Sequence, residues 1–210
     1  MSFWKNLKYA FRDRRAEAIR ELAPSLSMQY KRKDDLGVLH LLKDFRLFQK
    51  GSNKRIKNLL LYDDPMYDLK IRIFDYQYTI STGNSSQTFT QTVFFINTKA
   101  LGLPDFYLKP ENFFHKIGQW LGKKDINFTS HPVFSDAYYL KGEDEALVRH
   151  TFSENVLHYF TVEKDWSVEG LNYFLIVYKD KKKMLPEDIK HFYQKGMEIY
   201  QILKEEGFSI

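Results

Sequence analysis

Asp68-Leu69-Lys70-Ile71-Arg72-Ile73-Phe74-Asp75-Tyr76-Gln77-Tyr78-Thr79-Ile80-Ser81 runs into Thr82-Gly83-Asn84-Ser85 and returns as Ser86-Gln87-Thr88-Phe89-Thr90-Gln91-Thr92-Val93-Phe94-Phe95-Ile96-Asn97-Thr98. Both arms are rich in β-branched and aromatic residues, and the Gly-Asn pair between them is turn chemistry, so the stretch predicts a long β-hairpin. Strand alternation puts Ile71, Ile73, Asp75 and Gln77 on one face and Phe74, Tyr76 and Tyr78 on the other. With Gly83-Asn84 as a two-residue turn, Asp75 falls opposite Thr92 and Gln77 opposite Thr90. Phe94 and Ile96 then join Ile71 and Ile73. A one-residue slip would send one arm's apolar set to the wrong side, so the register is strongly constrained.

Moving outward, the pattern alternates between helices and short strands. Residues 2–22 carry Phe3, Trp4, Leu7, Phe11, Ala18 and Leu22 on one helical stripe, and Ala23-Pro24 ends it. Residues 25–37, with Lys31-Arg32-Lys33-Asp34-Asp35, read as a connection, and Val38–Leu42 as a helical turn. Phe45–Phe48 reads as a short strand and Arg55–Tyr62 as a longer one. In the second half, Phe113, Phe114, Ile117, Trp120 and Leu121 follow Pro110 at helical spacing. Ile126–Phe128 and Tyr138–Leu140 read as strands flanking a His131-Pro132 turn. Two short helices over 143–160 precede a second hairpin over 167–178, and Pro186 opens a final helix. The predicted fold is α+β: a mostly antiparallel sheet with a long central hairpin and helices packed on one face, because the spacing is not that of βαβ units. The expected division is an N-terminal basic amphipathic helix, 1–24, and a single α+β domain, 25–210.

The composition fits a folded domain of generous size: 210 residues, 43% hydrophobic, with 18 Phe and 14 Tyr supplying large apolar surfaces. The absence of cysteine excludes disulfides, thiolate nucleophiles and cysteine-based metal sites. No window approaches the roughly 20 apolar residues of a spanning helix. Arg12, Asp13, Arg14 and Arg15 interrupt any secretory-type apolar stretch. The expected location is therefore cytoplasmic, with membrane association open. Charge is unevenly placed. Residues 1–58 hold 15 Lys/Arg against 6 Asp/Glu, a balance of +9, while the remainder is −4. A basic front on a mildly acidic body points the first quarter toward an anionic partner, or toward solvent on a helix face.

Catalytic signatures are missing. The six histidines form no i, i+4 pair around a glutamate, no Gly-x-Ser-x-Gly elbow occurs, and no glycine run precedes a Lys-Ser/Thr pair. No catalytic residue, metal site or cofactor is therefore expected. Asp75 stands out, because it shares a face with Ile71 and Ile73. It is either hydrogen-bonded in the core, with Thr92 as partner, or a ligand carboxylate. Tyr76 and Tyr78, with Phe74 and Phe89, form either a stacking platform for single-stranded nucleic acid, served by Arg55 and Arg72, or a face covered by a helix. Asp63, Asp64, Asp68 and Asp75 nearby would repel phosphate and argue against nucleic acid.

The order of short motifs is similar to that of a widespread set of uncharacterised bacterial proteins. The motifs are Arg20-Glu21-Leu22-Ala23, Phe45-x-Leu47-Phe48-x-x-Gly51, Asn58-Leu59-Leu60, Phe74-Asp75-Tyr76-x-Tyr78-Thr79 with Gln91-Thr92, Leu108-x-Pro110-Glu111, Asp125-Ile126-x-Phe128, Trp166-Ser167-Val168-Glu169-Gly170 and Leu175-x-Val177-Tyr178. In that family a similar soluble domain often follows predicted membrane-spanning helices. The resemblance implies no activity and transfers no functional residue. Here the place of those helices is taken by the basic segment 2–22. Trp4, Lys5, Lys8, Phe11, Arg12 and Arg15 are its candidates for docking on an anionic membrane surface or on a second copy of the chain. The expected function is a non-enzymatic binding or scaffold module, peripheral at the inner membrane surface. A nucleic-acid-binding domain and an enzyme with a site assembled from distant residues stand as alternatives.

Overall fold

The computed structural model describes residues 14–111 and 125–207. In chain order they form helix α1 (residues 14–22) with a 3-10 turn, Ala23–Leu26, then strand β1 (Gln29–Lys33) and the short helices α2 (Val38–Leu41) and α3 (Arg46–Gln49). Strands β2 (Ser52–Asp64), β3 (Leu69–Thr82), β4 (Ser85–Asn97) and β5 (Leu103–Pro110) follow. After the undescribed segment come α4 (Pro132–Ala137), β6 (Tyr138–Gly142), α5 (Glu145–Thr151), α6 (Glu154–Val162), β7 (Ser167–Asn172), β8 (Phe174–Tyr178) and α7 (Ile189–Gly207).

All eight strands join one sheet in the order β1-β2-β3-β4-β8-β7-β5-β6, and every neighbouring pair is antiparallel. The central hairpin has the predicted register: Asp75 faces Thr92, Gln77 faces Thr90, and Thr82 faces Ser85 across Gly83-Asn84. Gly83 takes a φ of +55° while Asn84 does not share the left-handed region, so glycine is needed at the first turn position.

The two faces are covered unequally. Ile71, Ile73, Phe94 and Ile96 lie under Ile19 of α1 and Ile189, Phe192 and Ile199 of α7, and this core extends to Phe134, Val148 and Phe160 of α4, α5 and α6. The longer helices thus share one face, as the pattern predicts. The other face carries Phe74, Tyr76, Tyr78, Val93, Phe95, Ile176 and Tyr178 and is roofed by residues 38–48 through Val38, Leu42, Phe45, Leu47 and Phe48.

Several local expectations are corrected. Phe45–Phe48 is not a strand: Arg46–Gln49 is helical, and Phe48 is driven down onto the aromatic row. Residues 29–33, read as part of a connection, are an edge strand on β2. Ile126–Phe128 is not a strand, although the Ile126 amide donates to the Leu140 carbonyl of β6. From residue 14 onward the N-terminal segment packs into the core through Ile19, 1% exposed, and Ala23, 3% exposed. The part of the expected 2–22 helix before residue 14, and the expected helix over 113–121, lie outside the described residues.

Candidate functional site

Three groupings of polar and aromatic side chains could carry a function, and the first centres on Asp75. β3 places its carboxylate on the helix-covered face, 5% exposed. Its Oδ1 accepts from Arg15 Nη2 at 2.7 Å and from Thr92 Oγ1 at 3.1 Å. Its Oδ2 accepts from Arg15 Nε at 2.8 Å and Asn58 Nδ2 at 2.9 Å. Thr92 is the cross-strand partner that the register predicts. Arg15 is not an outward docking cation. Its guanidinium grips Asp75 in the bidentate manner natural to arginine and donates through Nη1 to the Met184 carbonyl at 2.7 Å. Asn58 reaches in because β2 bulges there: its φ is +51°, and the pairing shifts between Lys57 and Leu60. The Met184 amide completes the cluster by donating to Thr92 Oγ1 at 3.0 Å. Asp75 therefore ties α1, β2, β3, β4 and the segment before α7 into one unit. A carboxylate filled by four donors is a structural tie and has no coordination left for a ligand.

The second grouping is the aromatic row on the opposite face. Tyr76 and Tyr78 stack with centroids 5.4 Å apart, and Phe48 lies 4.3 Å from Tyr76. Both tyrosines are at most 2% exposed. Burial raises both phenol pKa values well above the ordinary 10.0. Gly51, at φ +63°, lets the chain pass against the Thr79 backbone and Tyr78, a position that a β-carbon would block. The row is thus roofed, and no base could stack on it. Arg72, expected to serve phosphates, donates instead to the Tyr62 carbonyl at 3.0 Å and pairs with Asp63 at 2.6 Å. Within this face the Tyr76 hydroxyl, Gln91 Nε2 and Ser167 Oγ are buried without a hydrogen-bond partner among the described residues.

The third grouping went unnoticed in the sequence. Glu169 of β7 is 1% exposed. It accepts from the Arg46 amide at 2.6 Å, the Leu47 amide at 3.1 Å and the Tyr178 hydroxyl at 2.7 Å, so it satisfies the first free amides of α3. Burial still pushes its carboxyl pKa up, against the hydrogen bond from Tyr178. Lys109 of β5, fully buried, pairs with Asp180 at 3.2 Å, and its ammonium lies 5.4 and 5.3 Å from the rings of Tyr107 and Tyr178. Burial, helped by the charge of Lys50, lowers the Lys109 pKa to about 8. Strand alternation alone could have placed Lys109 and Tyr107 on one face. Nothing local marks Glu169 as a cap for residues more than 120 positions earlier.

A cavity of about 280 Å³ lies elsewhere, at the end of β5, lined by Glu111, Asp136, Tyr138, Lys164 and Asp165 among others. Among the described residues no group of three or more His, Asp or Glu side chains could hold a metal ion, and no helix is long and apolar enough to cross a membrane. Trp4, Lys5, Lys8, Phe11 and Arg12 lie outside the described residues.

No family model matches the sequence, and no curated protein matches it. Among solved structures, the fold is similar to that of the mycobacterial trehalose monomycolate transport factor A, with a TM-score of 0.58 over 90% of this chain and 92% of that one. Identity across that alignment is 11%, so the likeness is one of fold.

Proposed function

We propose that this chain is a non-enzymatic binding or scaffold module that docks peripherally on an anionic membrane surface through its basic first quarter, and that it belongs with the bacterial proteins sharing the Phe-Asp-Tyr-x-Tyr-Thr motif. The observation that carries this reading is where charge is used and where it is left outward. Asp75, Glu169, Lys109 and Arg15 are each closed on partners that join one element to another. Arg14, Arg20, Arg32, Lys33 and Arg55 of the cationic first quarter are exposed to solvent, Arg20 with Glu17 as its ion-pair partner. Cations near an anionic leaflet contribute about 1 kcal/mol each, which suits weak, reversible, salt-sensitive binding. The roofing of Tyr76 and Tyr78 favours a lipid surface over single-stranded nucleic acid, since no stacking face is offered.

The test is retention of the full chain on phosphatidylglycerol-containing vesicles against retention on a single-stranded oligonucleotide, each over rising salt. Vesicle binding that exceeds oligonucleotide binding and fades with salt is the expected result. Preferential oligonucleotide binding, or none to either, overturns the reading.

A further inference from the structure

The two outer edges of the sheet are guarded. β1 carries Lys31, Arg32 and Lys33, side chains that discourage a further strand. At β6 the Leu140 amide donates to Asp125 Oδ1 at 2.8 Å, and the Leu140 carbonyl accepts from the Ile126 amide at 2.8 Å. The outer part of the central hairpin has an edge with neither protection. β3 and β4 pair without a bulge out to Thr82 and Ser85, whereas β8 pairs with β4 only over Val93–Asn97. The loop after β8 covers the next two residues. Its Lys181 amide donates to Gln91 Oε1 at 3.0 Å, and its Lys182 carbonyl accepts from the Thr92 amide at 3.1 Å. From Thr90 to the turn, no described residue pairs with the outer side of β4. Because the Thr92 amide points toward the β8 side and amide directions alternate along a strand, the amides and carbonyls of Thr90, Thr88 and Ser86 point the same way.

The arm that carries this edge is braced and neutral. The Phe89 ring packs 5.5 Å from Tyr78 with the Lys181 ammonium 4.5 Å over it, and the Thr79 and Thr88 hydroxyls meet at 3.1 Å. Tyr76 through Thr98 contains no charged residue, in a chain where such residues make up 28%. A second copy of the same strand fits this edge. Set antiparallel about a twofold axis at Thr88, Thr88 faces the partner's Thr88 and Ser86 faces the partner's Thr90, so each facing pair exchanges two backbone hydrogen bonds. Threonine and serine side chains then meet on one face, Gln87 meets the partner's Phe89 on the other, and no like charges are opposed. In that register the partner's Asn84 arrives opposite Thr92, where the Lys182 carbonyl already fills the edge. The incoming strand therefore reaches its turn where the free edge ends.

We propose that Ser86–Thr90 of β4 is a self-association edge, through which two copies of this chain join their sheets antiparallel about Thr88. The proposal does not depend on the membrane reading. The shared surface is small, so the dimer is weak and concentration-dependent. Sedimentation velocity of the full chain over rising micromolar concentrations should show a species of twice the chain's mass growing in. Thr88→Pro removes an amide that only the second copy uses, and proline is accepted on an edge strand, so this variant should stay monomeric with the wild-type far-ultraviolet circular dichroism. Thr88→Cys puts the chain's only thiol on the axis, with facing Cα atoms about 5.5 Å apart and within disulfide reach. Mild oxidation should convert it to a covalent dimer. Thr90→Cys, whose counterpart lies roughly 14 Å away along the partner strand, should not cross-link. A wild-type chain that is monomeric throughout, a dimer that Thr88→Pro leaves intact, no cross-link from Thr88→Cys, or equal cross-linking from the two cysteine positions overturns the edge.

Discussion

Replacing Asp75 by alanine removes the acceptor for four hydrogen bonds, two of them from one guanidinium. Thr92 and Asn58 lose neutral contacts, a deficit of about 1–3 kcal/mol where buried donors go unpaired. The larger effect comes from Arg15, whose side chain is only 12% exposed and would be left charged with the Met184 carbonyl as its remaining hydrogen-bond acceptor. Stranding one member of a buried ion pair costs about 3–5 kcal/mol. A central figure of about 4 kcal/mol, with a urea slope of about 2 kcal/mol/M for a domain of this kind, lowers the unfolding midpoint by roughly 2 M. Domains commonly have only about 5–15 kcal/mol in total, so this single change takes a large share. Urea unfolding followed by far-ultraviolet circular dichroism measures it. Arg15→Ala in the Asp75→Ala background should then add little, because the stranded charge goes with it, and the double-mutant cycle should show strong coupling. An Asp75→Ala midpoint equal to wild type, or additive losses from the two changes, would refute the placement of this pair at the centre of the fold.

The remaining predictions concern the other face. Lys109 has a folded pKa of about 8 against an ordinary 10.5. Below pH 8 both states hold the proton and the burial penalty is present in full. Between about pH 8 and 10.5 the unfolded chain alone stays protonated, so stability should rise by up to about 1.4 kcal/mol per pH unit. Lys109→Met should abolish that rise in a series of urea titrations. Tyr76, Tyr78 and Tyr178 have raised pKa values, so their unfolded counterparts ionise first and stability should fall again above about pH 10. Phe48→Ala should cost about 3–5 kcal/mol by unroofing Tyr76, and near-ultraviolet circular dichroism should report the loosened tyrosine pair.

How far the sequence reaches depends on how local the determinant is. The hairpin is legible because a period of two, a Gly-Asn turn and one buried face leave a single acceptable register, and the Asp75–Thr92 pair follows from it. The other partners of Asp75 are not legible in that way. Arg15 lies 60 residues upstream on a helix, and Asn58 reaches the carboxylate only through a bulge. Phe45-Arg46-Leu47-Phe48 satisfies strand alternation locally. It becomes helical because Glu169 supplies acceptors for its first amides, and because a roof over Tyr76 needs Phe48 pointing down. β1 was hidden for the opposite reason: an edge strand with one neighbour needs no apolar alternation, and its lysines also discourage further pairing.

The central claim, that the basic N-terminal region seats the domain on an anionic membrane, is tested most directly by comparing the full chain with one that begins at Arg14. That boundary keeps Arg15, which grips Asp75, and Ile19 of the core. Co-sedimentation with neutral and with phosphatidylglycerol-containing vesicles at low salt should show the full chain bound to the anionic vesicles alone. The shortened chain should bind them several-fold more weakly, through the cations that remain. Equal recovery of the two proteins with anionic vesicles, or equal recovery of the full chain with neutral and anionic vesicles, would contradict it.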